Sequence, residues 1–380
     1  MKVLIVGAGI GGLAAAIALQ KVGFEVEVYE AAPVLREIGA GISLWSNATA
    51  VLENLGLLDE AVEKSAVLSV LKIKNETGEL LMKAEIGKYR PASICIHRAD
   101  LIDLLQRNCA PKTIRSGKTF ERLEQNENGV NAFFADGTTA NGDVLIGADG
   151  INSRVRAQIK GNSKPIYRGY AVWRGIIEFN ENGFEANTAT ETWGAGKRFG
   201  LAPVGKNRFY WYATNNQPEG SILAPPERKA QMLEFFGEWH APIPQIVEAA
   251  AAEDILHNDC YDRPPESGWS KNRVCLTGDA AHPTTPNMGQ GGCLALEDAV
   301  VLTRCLQNSS SPNQAFLNFE RLRFDRAKLI NRRSLLIGRI GQWHNPFAVR
   351  ARNTLTKFTT QKSLERNFDG IYNYRDSNLA

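Results

Sequence analysis

The sequence predicts an α/β fold: a parallel-sheet unit, an antiparallel β-sheet domain interleaved with it, and C-terminal helices. Three observations carry this expectation. A β-branched run at the amino terminus ends in a glycine-rich turn, and two later apolar strands each run into a loop holding an Asp and then a helix. Between and after these lie short alternating strands rich in aromatics.

Val3-Leu4-Ile5-Val6 has the composition of a buried parallel strand. Gly7-Ala8-Gly9-Ile10-Gly11-Gly12 follows at once, filling a G-x-G-x-x-G pattern with Gly7, Gly9 and Gly12. Apolar residues then recur at helical spacing, Gly23 is placed to end the helix, and Val26-Glu27-Val28-Tyr29 reads as a strand that delivers Glu30. Gly7 allows the tight turn, Gly9 lets the backbone approach a pyrophosphate, and Gly12 lets helix and strand pack closely. The helix N-terminus offers free N–H groups and a positive dipole end to phosphate. Glu30, 18 positions after Gly12, can accept hydrogen bonds from ribose hydroxyls. This context distinguishes a Rossmann-like dinucleotide site from a plain β-turn-α unit. Four glycines interrupt the uncharged run from Val3 to Leu19 and no cleavage-site flank follows, so it reads as neither signal peptide nor membrane span.

A chain of 380 residues, at about 150 per domain, suggests two or three domains. Composition is ordinary for a globular protein, and a net charge of +3 argues against nucleic acid as the main partner. The six cysteines show neither a C-x-x-C pair nor metal-ligand spacing, so they read as reduced thiols of a cytoplasmic protein without a metal site. No stable membrane insertion is expected, and the chain is expected to act as a monomer or homodimer.

The loop from Ala31 to Gly41 carries Arg36 and can wrap the far ends of a long cofactor, or serve as a surface connection. Residues 46–58 and 59–64 read as helices, and 67–73 and 80–86 as an inserted pair of strands around Asn75-Glu76-Thr77-Gly78. Ile94-Cys95-Ile96-His97-Arg98 leads into a helix over 99–108, placing Arg98 where it faces either cofactor or solvent. Residues 130–134 and 142–146 form a hairpin pattern about Asp136-Gly137. The second strand ends in Gly147-Ala148-Asp149-Gly150, with Ser153 and Arg156 at fixed offsets. Asp149 can accept from a ribose hydroxyl, Gly150 permits close approach, and Ser153 and Arg156 can meet phosphate; equally, the segment can be a helix N-cap turn.

Short strands over 169–179, 189–194, 199–204 and 208–214 suggest an antiparallel sheet rich in aromatics and arginines, among them Tyr170, Trp173, Arg174, Arg198 and Tyr210, a fitting floor for a flat apolar substrate. Residues 228–239 read as a helix and 249–252 as part of another. The strand 273–277 runs into Gly278-Asp279-Ala280-Ala281-His282-Pro283, then a loop with Pro286, Gly289, Gly291 and Gly292, and a helix over 293–306. Asp279 can hold a ribityl or ribose hydroxyl, and the N–H groups of 289–292 can stabilise negative charge. Arg321, Arg323, Arg326, Lys328, Arg332, Arg333 and Arg339 make the next helix basic. It reads as a helix packing one face on the core, or else as a membrane-surface or partner patch. Residues after Thr354 read as a polar tail.

Three motifs thus stand in order: Gly7-x-Gly9-x-x-Gly12 with Glu30, Asp149-Gly150-x-x-Ser153-x-x-Arg156, and Gly278-Asp279-Ala280-Ala281-His282-Pro283. Together, over roughly residues 1–329, they resemble the single-component FAD-dependent aromatic hydroxylases, the family of para-hydroxybenzoate and salicylate hydroxylases. The stretch from Pro286 to Cys293 is similar to zeaxanthin epoxidases; Gly196-Lys197-Arg198 and Arg208-Phe209-Tyr210 resemble FAD-dependent urate hydroxylases, which carry Asp where this chain has Asn287. The resemblance implies that FAD is held by the first and third motifs and that the middle one serves FAD and NAD(P)H together. It implies a monooxygenase in which NAD(P)H reduces the flavin, dioxygen forms a flavin C4a-hydroperoxide, and an aromatic, heteroaromatic or polycyclic small molecule is hydroxylated.

On that reading the cofactor contacts are Gly7, Gly9, Gly12, Glu30, Arg36, Arg98, Asp149, Gly150, Arg156, Asp279, Pro286, Gly289, Gly291 and Gly292. The substrate-side candidates are Arg198 for an anion or phenolate, Tyr210 for a ring hydroxyl or carbonyl, and His282 for loop orientation or proton transfer. The expected organisation is a FAD-binding domain in parts 1–66, 94–165 and 266–320, a β insertion 67–93, a substrate-binding sheet 166–265, and C-terminal helices and tail 321–380. Epoxidation of a polyene, inactivation of a polyketide-like compound, and a flavin reductase or desaturase remain as alternatives.

Overall fold

The computed structural model describes residues 1–35, 40–178, 185 and 187–373. Arg36 therefore lies outside the described residues. The amino-terminal strand Lys2–Val6 is the hub of a six-stranded sheet: Glu25–Tyr29 and Ile114–Arg115 lie to one side, Val144–Gly147, Val274–Leu276 and Ser270–Lys271 to the other. All pairings are parallel except the outermost, Ser270–Lys271 on Val274–Leu276. Val3 through Val6 and Val144 through Gly147 are fully buried, which explains why both segments are uninterrupted apolar runs. The helix Ile10–Lys21 packs against the helix Gly291–Asn308 so closely that a Cβ on Gly11 would sit 3.1 Å from the Ala295 Cβ.

The second large sheet has seven strands, in the order Leu256–Asp262, Ile166–Glu178, Arg208–Asn216, Lys197–Pro203, Thr188–Trp193, Val70–Asn75, Leu80–Glu85. Its alternation separates two faces. Ala171, Trp173, Phe199, Phe209 and Trp211 pack with Phe236 and Ile246 of the helices Pro225–Phe236 and Ile243–Ala249 in a core of their own. The opposite face carries Tyr170, Arg174, Arg198, Tyr210 and Tyr212, set by the register pairs Arg198↔Thr214, Tyr212↔Arg174 and Tyr210↔Ile176. Gly41, which opens the strand Gly41–Leu44, lies against the Tyr210 ring, and Arg208 pairs with Asp100 at 2.9 Å. These contacts fix the polar face of the sheet toward the parallel-sheet unit.

Several sequence expectations change. The run 67–73 divides at Ser69: Ser65–Leu68 joins a small sheet with Ser93–His97, while Val70–Asn75 joins the large one. The hairpin about Asp136-Gly137 closes with Thr139–Gly142, and the chain passes at Asp143 into Val144–Gly147 of the other sheet. Apolar alternation does not mark where a strand changes sheets; the hydrogen bond from Asp143 N to Lys2 O does. The helix expected to include 249–252 runs Ile243–Ala249, and Ala252 starts a separate short turn, Ala252–Asp254. The expected polar tail is instead two helices, Pro346–Lys357 and Gln361–Tyr372; the second buries Leu364, Ile371 and Tyr372 and stacks Tyr372 on Trp45. Among the described residues no helix is long and apolar enough to cross a membrane.

Candidate active site

The first motif builds a groove at the carboxyl end of the central strand. Gly7 has φ +104°, and a Cβ there would fall 2.4 Å from the Ala148 carbonyl oxygen. On Gly12 it would fall 2.0 Å from the Gly7 oxygen, so only glycine permits this turn. Gly9 is the contrary case: a Cβ would meet nothing within 4 Å. Its surroundings are open. The helix that starts at Ile10 has no side-chain cap, leaving its first N–H groups for another acceptor. Glu30 is aimed by two backbone donors, Ala8 N at 2.8 Å to Oε2 and Ala32 N at 2.8 Å to Oε1.

The third motif meets the first. A Cβ on Gly292 would lie 3.8 Å from the Ile10 Cδ1, which puts the starts of the helices Ile10–Lys21 and Gly291–Asn308 side by side. The second of these helices also lacks a side-chain cap, so two positive dipole ends converge. Asp279 stands at the same place, its Oδ1 3.8 Å from the Cβ position of Gly291. It is exposed to solvent, and the surrounding protein pushes its carboxyl up against the opposing pull of His282 and Arg98. Arg98 opens the helix Arg98–Arg107, and its charge also acts on Tyr210. Pro286 starts a short turn, Gly289 takes the left-handed conformation at φ +59°, and Trp45 Nε1 donates to Met288 O at 3.0 Å to hold that turn.

The middle motif has a different job. Asp149 accepts from Arg154 N at 2.8 Å, Val155 N at 3.1 Å and the Ser153 hydroxyl, so its carboxylate caps the helix Arg154–Lys160. Arg156 is buried; Nη1 donates to the carbonyls of Ala280 and Ala281 at 3.2 and 3.3 Å, and Nη2 to Glu266 at 2.8 Å. These side chains join the middle motif to the third rather than reaching for phosphate. Gly150, at φ +77° with nothing within 4 Å of its Cβ position, stays open toward the groove.

His282 is likewise structural. Its Nε2 is 2.7 Å from Asp298 Oδ2, which also accepts from Thr277 Oγ1 and Gly278 N. Arg323 donates to Asp298 Oδ1 at 2.7 Å and pairs with Glu297 at 2.7 Å; Arg326 pairs with the same Glu297 at 2.6 Å. Burial alone would raise the Asp298 carboxyl, but His282 and Arg323 hold it well below the usual range. Two arginines expected on a polar helix face are thus spent inside the core.

Arg198 is 2% exposed, on the side of the sheet that faces the groove, and every nitrogen has an acceptor. Nη1 donates to Glu191 at 3.0 Å, Nη2 to Asn287 at 2.6 Å and Nε to Gln342 at 2.8 Å. Asn287 in turn donates to Thr285 Oγ1, Ser334 O and Tyr170 Oη at 2.8, 3.0 and 3.1 Å. The long helix Pro312–Gly341 passes over this cluster on glycines: a Cβ on Gly338 would lie 2.3 Å from the Asn287 amide, and one on Gly341 2.9 Å from Arg198 Cδ. Tyr210 is partly accessible, and burial pushes its hydroxyl up to about 12 while Arg174 and Arg98 pull the other way. At neutral pH that hydroxyl is a donor. Glu191, Gln342 and the Gly338/Gly341 pair were not singled out in the sequence; the G-R-I-G spacing late in a helix was the available signal.

The chain matches the FAD binding domain family over residues 1–328. It belongs to the FAD-binding monooxygenase family. It is 38% identical over 369 residues to the aurachin C monooxygenase/isomerase of Stigmatella aurantiaca, covering 96% of each chain. It is 32% identical over 375 residues to the 2-heptyl-3-hydroxy-4(1H)-quinolone synthase of Pseudomonas aeruginosa, again with 96% of each covered. The fold is similar to the crystal structure of Klebsiella pneumoniae HpxO complexed with FAD and uric acid, with TM-score 0.91, 31% identity, and 98% and 96% of the two chains covered. The residues of this monooxygenase fit FAD: the open cradles at Gly9 and Gly150, two uncapped helix starts and two aimed carboxylates, Glu30 and Asp279, suit a long dinucleotide with hydroxyls and phosphates.

Proposed function

We propose that this monooxygenase hydroxylates an uncharged heteroaromatic ring, held between the cofactor groove and the polar face of the seven-stranded sheet, at the expense of NADH or NADPH. The observation that carries this reading is the ring of acceptors around Arg198: Glu191 matches its charge, and Asn287 and Gln342 each accept one further N–H. Its charge is already paired with Glu191 and the guanidinium is buried, so it offers an anionic ring little unbalanced positive charge. The quinolone synthase among the relatives is named for a heteroaromatic product, which agrees.

FAD held here would supply the redox chemistry that couples nicotinamide oxidation to dioxygen activation. Glu30 holds a ribose hydroxyl, and the N–H groups at the start of Ile10–Lys21 receive the pyrophosphate, with Gly9 and Gly150 leaving it room. Asp279 accepts from a ribityl hydroxyl, Arg98 flanks it, and the helix beginning at Gly291 stabilises negative charge at the flavin's edge. Tyr210 donates a hydrogen bond to a ring carbonyl or hydroxyl, orienting the substrate.

The test is substrate-triggered NADH and NADPH oxidation across paired neutral and anionic heteroaromatic rings, with product mass read under labelled dioxygen. Neutral rings are expected to accelerate consumption and gain one labelled oxygen, and Tyr210→Phe to raise KM several-fold. Tighter binding of the anionic member of each pair would overturn the reading of Arg198; a product without label would overturn the monooxygenation itself.

A further inference from the structure

From Arg326 to Leu364 the sequence holds nine lysines and arginines and no aspartate or glutamate. The same stretch contains all three of the exposed large aromatic side chains among the described residues: Trp343 at 39%, Phe347 at 85% and Phe358 at 77%. On the helix Pro346–Lys357, Phe347, Ala351 and Leu355 are spaced by four and Phe358 caps the end three residues on, so they form one stripe. Leu355 is 69% exposed. Scattered exposed apolar residues are normal; an aromatic stripe inside a segment devoid of acids is not.

The buried members of the segment already have tasks. Arg326 pairs with Glu297, and Arg352 donates to the carbonyls of Gly341 and Gly194. Arg332, Arg350 and Lys362 form no ion pair among the described residues, while Lys357 reaches Glu79 across a groove that Glu76 and Arg350 also line.

We propose that the helix Pro346–Lys357 and its basic flanks are a docking surface for an anionic lipid bilayer, resting in the headgroup layer without spanning it. Aromatic and leucine side chains on one face with lysine and arginine beside them are the composition that interfacial helices use. A second copy of this chain fits the face poorly. The stripe covers a footprint of about 200 Å², a helix of ~18 Å by ~10 Å, where a stable interface needs about 800 Å² per partner. A two-fold contact would also set basic segment against basic segment. A bilayer needs no shape match and supplies the missing negative charge. The inner side of the same segment carries Gln342, which bonds Arg198, so the docked face backs directly onto the substrate chamber.

The experiment is co-sedimentation of the full-length holoenzyme with vesicles of phosphatidylcholine containing or lacking phosphatidylglycerol, at low and high salt. Binding is expected only to the anionic vesicles, falling several-fold in 0.5 M salt. The triple variant Phe347→Ser/Leu355→Ser/Phe358→Ser is expected to bind at least tenfold more weakly, with unaltered thermal midpoint and unaltered NAD(P)H oxidation in solution. Equal binding to neutral vesicles, or a triple variant that binds undiminished, overturns the proposal. So does concentration-dependent self-association, by light scattering, that the triple variant abolishes while vesicle binding is absent in the parent chain.

Discussion

Arg198 and Asn287, 89 positions apart, are joined by a 2.6 Å hydrogen bond from guanidinium Nη2 to amide Oδ1. The bond ties the substrate-side sheet to the loop that leads into the helix Gly291–Asn308, so the two halves of the site are built as one piece. Asn287 is oriented by three acceptors of its own, including the Ser334 carbonyl at 3.0 Å. Asn287→Asp would turn a carboxylate toward that carbonyl and lose these donations. Stability should fall by about 1–3 kcal/mol, measured as a lower denaturation midpoint.

Gly9 and Gly12 should separate cofactor binding from folding. Gly12→Ala forces a Cβ into the Gly7 oxygen, and the variant should be strongly destabilised or insoluble. Gly9→Ala meets nothing in the protein, so the cofactor-stripped chain should keep its thermal midpoint. Its FAD affinity, read by flavin fluorescence quenching, should drop at least tenfold.

The buried network around Asp298 predicts a large effect far from any ligand. Arg323→Leu leaves the carboxylates of Asp298 and Glu297 buried with fewer cations, a situation that costs about 3–5 kcal/mol. Chemical denaturation should report it as a displaced midpoint, and Asp298→Asn should recover part of the loss in the double variant.

His257 predicts an acid-sensitive component of stability. It is 5% exposed, stacks on Trp173 at 4.4 Å and lies 3.2 Å from the Gln217 amide, with burial and Arg228 pushing its pKa down to about 4. The unfolded chain's histidine titrates near 6.5. The folded state therefore favours the neutral ring, and this stabilisation is complete above pH ~6.5 and lost as pH falls toward 4. His257→Gln should remove on the order of 2–3 kcal/mol of the drop, seen by comparing denaturation midpoints at pH 7.5 and 4.5.

What was legible in the sequence was what is local. Gly7, Gly9, Gly12 and Glu30 occupy one strand–turn–helix unit, where spacing alone fixes geometry. The convergence of that unit with the Asp279 loop followed from each being a strand end in a parallel sheet. The partners of Arg198 were not legible, because Gln342 and Asn287 arrive from 144 and 89 residues away. Arg323 and Arg326 misled for a related reason: charge marks a surface only when no carboxylate waits inside, and Glu297 and Asp298 are buried on the helix Gly291–Asn308. The helix Gln361–Tyr372 escaped notice because only three of its residues are buried.

The seven-stranded sheet takes Val70–Asn75 and Leu80–Glu85 from before the strand Val144–Gly147 and its other five strands from after it. Neither sheet is therefore one contiguous piece of the gene. Importing the whole seven-stranded sheet as one contiguous segment would carry Ile114–Arg115 and Val144–Gly147 of the other sheet with it, so side-chain replacement on its polar face is the change that leaves both sheets intact. Laboratory evolution toward a new ring system has its search space drawn for it: Arg174, Glu191, Arg198, Tyr210, Tyr212 and the amide at 287.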